Sequence, residues 1–162
     1  MEVVPPRQFR SIRAPRPRAF TLVEIMVVVV IIGLLVAMAI PGFQRVRYSA
    51  VSKRYLNDVR QIVAGAERRA MEAGAYPPNG IGALHPDLRG YVPDSLFGTA
   101  TPLGGVWDWD YDQNGFKASV SVYQFTADDD LLLYIDRSCD DGNLNSGIFR
   151  KDGSKVIYVI QF

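Results

Sequence analysis

The sequence predicts an α+β protein: a long N-terminal helix packed on a small antiparallel β-sheet, with a short extra helix. Three observations carry this. Phe20–Ile40 is apolar apart from Thr21 and Glu24, and its 21 residues make ~31 Å of helix, about the hydrocarbon thickness of a bilayer. After Pro41 the helical spacing continues, but apolar and charged positions now fall on different faces. Beyond Tyr76 strand-like alternation and glycine turns take over. The resulting organisation is a basic leader over 1–19, a transmembrane helix over 20–41, an amphipathic continuation over 42–75 and a small sheet domain over 76–162.

Residues 1–19 hold five arginines against Glu2, a side-chain charge of +4, and four prolines that oppose folding. A basic flank before an apolar helix stays on the cytoplasmic side, so the carboxyl end is expected outside. The remaining chain carries 13 Lys+Arg and 16 Asp+Glu, or −3. Nucleic acid is not an expected partner, because the arginines lack aromatic interleaving and a folded scaffold. Ala37-Met38-Ala39 offers a rival signal-peptidase cut before Ile40. Against it, Glu24 interrupts the apolar region and the helical pattern runs straight past the cut.

Glu24 is the unusual residue of the apolar run. A carboxylate costs roughly 2.5–3.5 kcal/mol at mid-membrane and less near an end, so its presence points to a function. The alternative is a side chain near enough to the interface to snorkel.

The outer helix places Tyr55, Val59, Ile62, Val63, Ala66, Ala70 and Ala73 on one face and ends at Gly74, with Pro77 and Pro78 beyond. Pro41 lacks the amide that would bond Ala37, so a kink or loosening is expected there. Tyr76–Leu103 reads as a long ordered loop containing His85, to which no role is assigned. Val106–Tyr123 reads as a hairpin: Trp107, Trp109 and Tyr111 alternate with Asp108, Asp110 and Asp112, and Gln113-Asn114-Gly115 turns the chain. Its aromatic face is expected against the helix. Asp128-Asp129-Asp130 then starts a short helix carrying Leu131, Leu132, Ile135 and Cys139 on one face and ending near Gly142. Ile148–Arg150 and Val156–Phe162 complete the sheet.

Ala19-Phe20-Thr21-Leu22-Val23-Glu24-Ile25, behind a basic leader and ahead of an apolar helix closed by Pro41, resembles the amino terminus of type IV pilin-like prepilins. The resemblance is nearest to type II secretion pseudopilins or minor pilins. It departs at Ala19, where the family usually has glycine. It implies cleavage between Ala19 and Phe20 by a prepilin peptidase, methylation of the new Phe20 amine by the same enzyme, and an assembly role for Phe20, Glu24 and Pro41. It further implies other pilin or pseudopilin subunits and an inner-membrane assembly platform as partners. The location implied is the inner membrane, single pass, with the carboxyl-terminal domain periplasmic before entry into a pilus or pseudopilus.

No nucleophile–base pair, Cys/His metal cluster or phosphate-binding glycine loop is present, so no enzymatic activity is expected. A single cysteine, Cys139, cannot form an internal disulfide. Two acidic loops raise calcium. Asp110-x-Asp112-x-Asn114-Gly115 matches half of an EF-type loop, with Ser121 where the closing glutamate belongs. Asp140, Asp141, Asn143 and Asn145, with Asp152 nearby, form the second. The family resemblance supports the second loop, because major pseudopilins hold calcium near their carboxyl end. These residue types also simply make turns, and that reading is preferred, with no cofactor assigned.

The expected function is a structural subunit assembled through helix packing and a charge pair between Glu24 and a neighbouring amino terminus. The rival is a membrane-anchored extracytoplasmic binding domain in which Glu24 is dispensable.

Overall fold

The computed structural model describes residues 20–80 and 82–162, the side chain of Pro41 excepted. The leader and Ala19 therefore lie outside the described residues. The order of elements is a helix α1 (Leu22–Ala73), strands β1 (Val106–Gln113) and β2 (Phe116–Tyr123), a helix α2 (Asp129–Cys139), and strands β3 (Phe149–Asp152) and β4 (Lys155–Gln161). The sheet is antiparallel throughout, in the order β1-β2-β4-β3. The chain forms two compact units, the first ending at Ile40 and the second running from Pro41 to Phe162. Helical backbone passes through Pro41, and each unit is described by itself.

In the first unit every large apolar side chain from Phe20 to Ile40 is at least half exposed. The helix is long and apolar enough to cross a membrane, and none of that stretch is covered by protein among the described residues.

The second unit is built around the stripe of α1. Tyr55, Val59, Ile62 and Ala66 are fully buried, as their helical spacing predicts. Ala73, expected on this face, is exposed, because the helix ends there and the chain turns away at Gly74. Tyr55 stacks on Trp107 with ring centroids 5.5 Å apart and meets the edge of Phe149 at 5.9 Å. Trp109, completely buried, donates its indole N–H to the Pro77 carbonyl at 3.0 Å. Burying each large side chain contributes roughly 1.5–3 kcal/mol, so this aromatic seam holds helix and sheet together.

The hairpin turns at Asn114 and Gly115, whose φ angles of 55° and 80° suit a tight two-residue turn that glycine and asparagine tolerate. α2 begins as the sequence predicts. Asp128 is its cap and accepts from the Leu131 amide at 2.8 Å, but the helix stops at Cys139, three residues short of Gly142. The Tyr76–Leu103 segment is irregular apart from single 3₁₀ turns at Pro86–Leu88 and Asp94–Leu96. It nonetheless buries Leu84, Leu88, Val92 and Leu96, and it covers the free edge of β1. There Gly80 donates to Trp109, Trp109 donates to Ala83, and the Tyr111 amide donates to Asn79. A covered edge cannot template strand addition. His85 caps the first 3₁₀ turn by accepting from the Asp87 amide, a structural role.

This segment approaches α1 most closely at Gly65. A Cβ there would lie 2.5 Å from Val92 Cγ2 and 2.8 Å from the Tyr91 carbonyl oxygen. Helix propensity favours alanine over glycine by about 1 kcal/mol. Overpacking against backbone costs roughly 1–3 kcal/mol. Gly65→Ala is therefore expected to lower the melting temperature of the detergent-solubilised chain, and an unchanged or raised value would show that the loop yields freely.

Candidate functional site

Two places gather chemistry-bearing groups: the start of α1 and the corner where α2 meets β3. At the start of α1, Thr21 precedes the first helical residue and Glu24 stands three positions on. Glu24 Oε2 accepts from the Thr21 amide at 2.9 Å and from the Thr21 hydroxyl at 3.0 Å, while Thr21 Oγ1 accepts from the Glu24 amide at 3.2 Å. This is a reciprocal capping box, which satisfies donors that the first helical turn leaves free. Glu24 is thus neither buried nor unpartnered in the single chain. Sequence reasoning weighed its charge and overlooked its neighbour, although Thr21-x-x-Glu24 ahead of an apolar run is itself the pattern for such a box.

At the second place Asp136, on the inner face of α2, is completely buried, and neither of its carboxylate oxygens has a hydrogen-bond partner. Ligand atoms of Asp136, Asp140 and Asp141 all lie within 4.8 Å of one another. Burial, then the charges of Asp140 and Asp141, raise the Asp136 pKa. Asp140 Oδ2 accepts from the Phe149 amide at 2.9 Å and from the Ile148 amide. Asp141 is held in a turn, accepting from the Ser146 hydroxyl and the Asn143 amide, which in that order lower its pKa. Asn143 accepts from the Asn145 amide at 3.2 Å.

The candidate residues separate on this geometry. Asp140 and Asp141 come together with Asp136, which sequence reasoning placed in the helix without a role. Asn143 and Asn145 shape the adjoining turn. Asp152 sits at the far end of β3 opposite Lys155, away from the cluster. A buried carboxylate beside two others, offset only in part by the Gly142 amide and the Arg137 charge, is costly, and it suits a divalent cation that accepts oxygen ligands. The neighbouring thiol stays protonated: burial, then the charges of Asp136 and Asp140, push Cys139 up to about 12.

The EF-like half-loop is differently used. Lys155 Nζ lies 2.8 Å from both Asp108 Oδ2 and Asp110 Oδ1, and Ser121 donates to Asp110. Both aspartates are nearly fully buried on the sheet face away from the tryptophans. Burial alone would lower the Lys155 pKa, but its hydrogen bonds to the two carboxylates raise it overall. The cation that Asp110 binds is a lysine of β4.

A family model described as the prokaryotic N-terminal methylation motif matches residues 15–40. Type II secretion system core protein G of Dickeya chrysanthemi is 31% identical over 87 residues, covering 49% of this chain and 57% of that protein. The protein of the same name from Pectobacterium carotovorum subsp. carotovorum is 30% identical over 87 residues, covering 49% and 56%. Type IV major pilin protein PilA of Myxococcus xanthus is 55% identical over 40 residues, or 25% of this chain and 17% of its own. The chain thus spans little more than half the length of the first two relatives. No solved structure matches the chain. The chain thus carries a prepilin-type methylation segment and is similar, over part of its length, to type II secretion core protein G and to a type IV pilin.

Proposed function

We propose that this protein is a structural subunit of a type IV pilus or a type II secretion pseudopilus. On this reading it is held in the inner membrane as a prepilin, cleaved between Ala19 and Phe20, methylated on the Phe20 amine and then drawn into a filament. One observation carries the reading: an apolar helix with no protein cover of its own holds a single carboxylate, Glu24, in its first turn. Partner subunits supply the missing cover. Pro41, closing the apolar run, belongs to the same assembly segment.

A new amine on Phe20 has an ordinary pKa of about 7.7–8.0 and is largely cationic in the cell. Glu24 lies four residues on, ~6 Å along the helix axis. Pairing the amine of one subunit with Glu24 of the next sets an axial offset of about that size, as a helical filament requires. Leaving one member of such a pair alone in a low-dielectric region costs about 3–5 kcal/mol.

Intact-mass measurement on membrane-extracted protein is expected to give a mature species beginning at Phe20 and carrying one methyl group. A species retaining the leader in cells with active prepilin peptidase would remove the basis for assembly.

Glu24→Ala is expected to leave the chain expressed, cleaved and inserted, yet largely absent from sheared or cross-linked filaments. Glu24→Asp should be intermediate. Glu24→Gln separates the two roles of this side chain, because glutamine preserves a capping box but not a charge. Loss of incorporation in the glutamine variant is expected; full incorporation would make Glu24 a helix cap and nothing more.

A second reading concerns calcium, favoured by the orphaned Asp136. Asp136, Asp140 and Asp141 would hold the ion, neutralising three clustered carboxylates and tying the end of α2 to the start of β3. Binding stabilises by about 2.7 kcal/mol at 100 times the dissociation constant. The chain in detergent should therefore melt several degrees higher with millimolar calcium. Asp136→Asn should abolish that shift. It should also stabilise the calcium-free form, since a raised carboxylate pKa means that stability is lost as pH rises through it. A calcium-independent melt for the wild type would leave the loop as a set of turns.

A further inference from the structure

We propose that the first turns of the second unit, Phe43–Arg54, form a collar that binds the phosphate headgroups of anionic lipid at the outer face of the membrane. Arg45, Arg47, Lys53 and Arg54 are all exposed here. None has an ion-pair or hydrogen-bond partner among the described residues. Most other cations of this unit are paired, Arg69 with Asp87, Arg89 with Asp94, Lys151 with Asp129 and Lys155 with two aspartates, and the exceptions Arg60 and Arg137 stand singly rather than in a cluster. No acidic residue occurs between Glu24 and Asp58, so nothing within the stretch offsets the charge.

Apolar side chains stand among these cations. Phe43 is 73% and Val46 68% exposed, a state shared in this unit by few other large apolar residues. At about 100° per residue, Phe43 and Val46 point toward the middle of the exposed arc of α1. Arg45 and Lys53 lie to one side, Arg47 and Arg54 to the other. Arg45, Val46, Ser49, Ala50 and Lys53 line, with Tyr134 of α2, a shallow hollow of about 520 Å³. An aromatic and an aliphatic side chain ringed by unpaired cations is the composition that suits an interface between headgroups and acyl chains.

Position selects lipid over other anions. Arg45 and Arg47 follow Ile40 by five and seven residues, within two helical turns of the apolar run. The polar layer on each side of a bilayer is ~5–8 Å deep, and surface fields reach about a Debye length of 8–10 Å beyond it. The first two cations thus reach the headgroups, and Lys53 and Arg54 extend the field outward. The inference rests on the reading that the apolar helix spans a membrane, which recovery of the chain in the membrane fraction tests separately.

The test is native mass spectrometry of the full chain released from micelles holding equal amounts of phosphatidylglycerol and phosphatidylcholine. The wild type should retain the anionic lipid in preference. Arg45→Gln/Arg47→Gln should lower that ratio at least fivefold, since each basic group near an anionic surface is worth about a factor of five. The leader arginines are common to both proteins, so the difference reports the collar alone. Arg68→Gln, which removes an exposed cation further along α1, should leave the ratio unchanged. A ratio that moves less than twofold in the double variant overturns the proposal, as does an equal effect of Arg68→Gln. A changed self-association with an unaltered lipid ratio would overturn it too, assigning the collar to contacts between copies.

Discussion

Tyr55 lying flat on Trp107 is the contact on which the second unit depends, because it joins the one long helix to a sheet that could not otherwise stay folded. A four-stranded sheet needs an apolar layer against one face, and α1 supplies it through Tyr55, Val59, Ile62 and Ala66. The Tyr76–Leu103 segment then closes over Gly65 and fills the remaining edge with Leu84, Leu88, Val92 and Leu96. The opposite face of the sheet is closed differently, by a lysine held between two aspartates. Removing either kind of closure exposes groups that are costly to leave in their place: apolar area on one side, unpaired charge on the other.

Much of this was legible from local pattern. The tryptophan–aspartate alternation marked the hairpin, the triple aspartate marked the start of α2, and Gly74 marked the end of α1. What could not be read were the distant partners. Nothing near Asp108 announces that Lys155, 47 residues on, will neutralise it. Four leucine and valine residues spaced by four in a Pro/Gly-rich loop gave no helix, yet they still form core. Asp136 is a similar case: its helical position was visible, but its burial beside Asp140 and Asp141 depends on how the chain doubles back into β3. Asp152 was placed with that group by nearness in sequence, and β3 carries it away.

Glu24 stands out in the sequence for its charge, and the structure adds a second reason for its place. The cost of a carboxylate in an apolar run drew attention to it, and the family segment over 15–40 supports its importance. The capping box with Thr21 lowers that cost in the lone subunit, since two hydrogen bonds already occupy one oxygen. Assembly through this residue, as proposed, would then be an exchange of partners. Its driving force would be the difference between an intrachain cap and an intersubunit ion pair, smaller than the full penalty of an isolated charge.

The unpaired cations that follow the apolar helix have a consequence for the direction in which the subunit can move. On the proposed topology, the five leader arginines would face four basic residues on the outer flank. Processing at Phe20, as proposed, would leave a single amine inside and the four outer cations untouched. Each positive charge moved across a membrane works against, or is helped by, ~2.3 kcal/mol per 100 mV. Withdrawing the mature helix outward would carry the amine and the Glu24 carboxylate together, with no net charge moved, whereas sliding inward would require desolvating a whole collar. Cleavage of the proposed kind would turn a helix pinned on both flanks into one that can leave in a single direction.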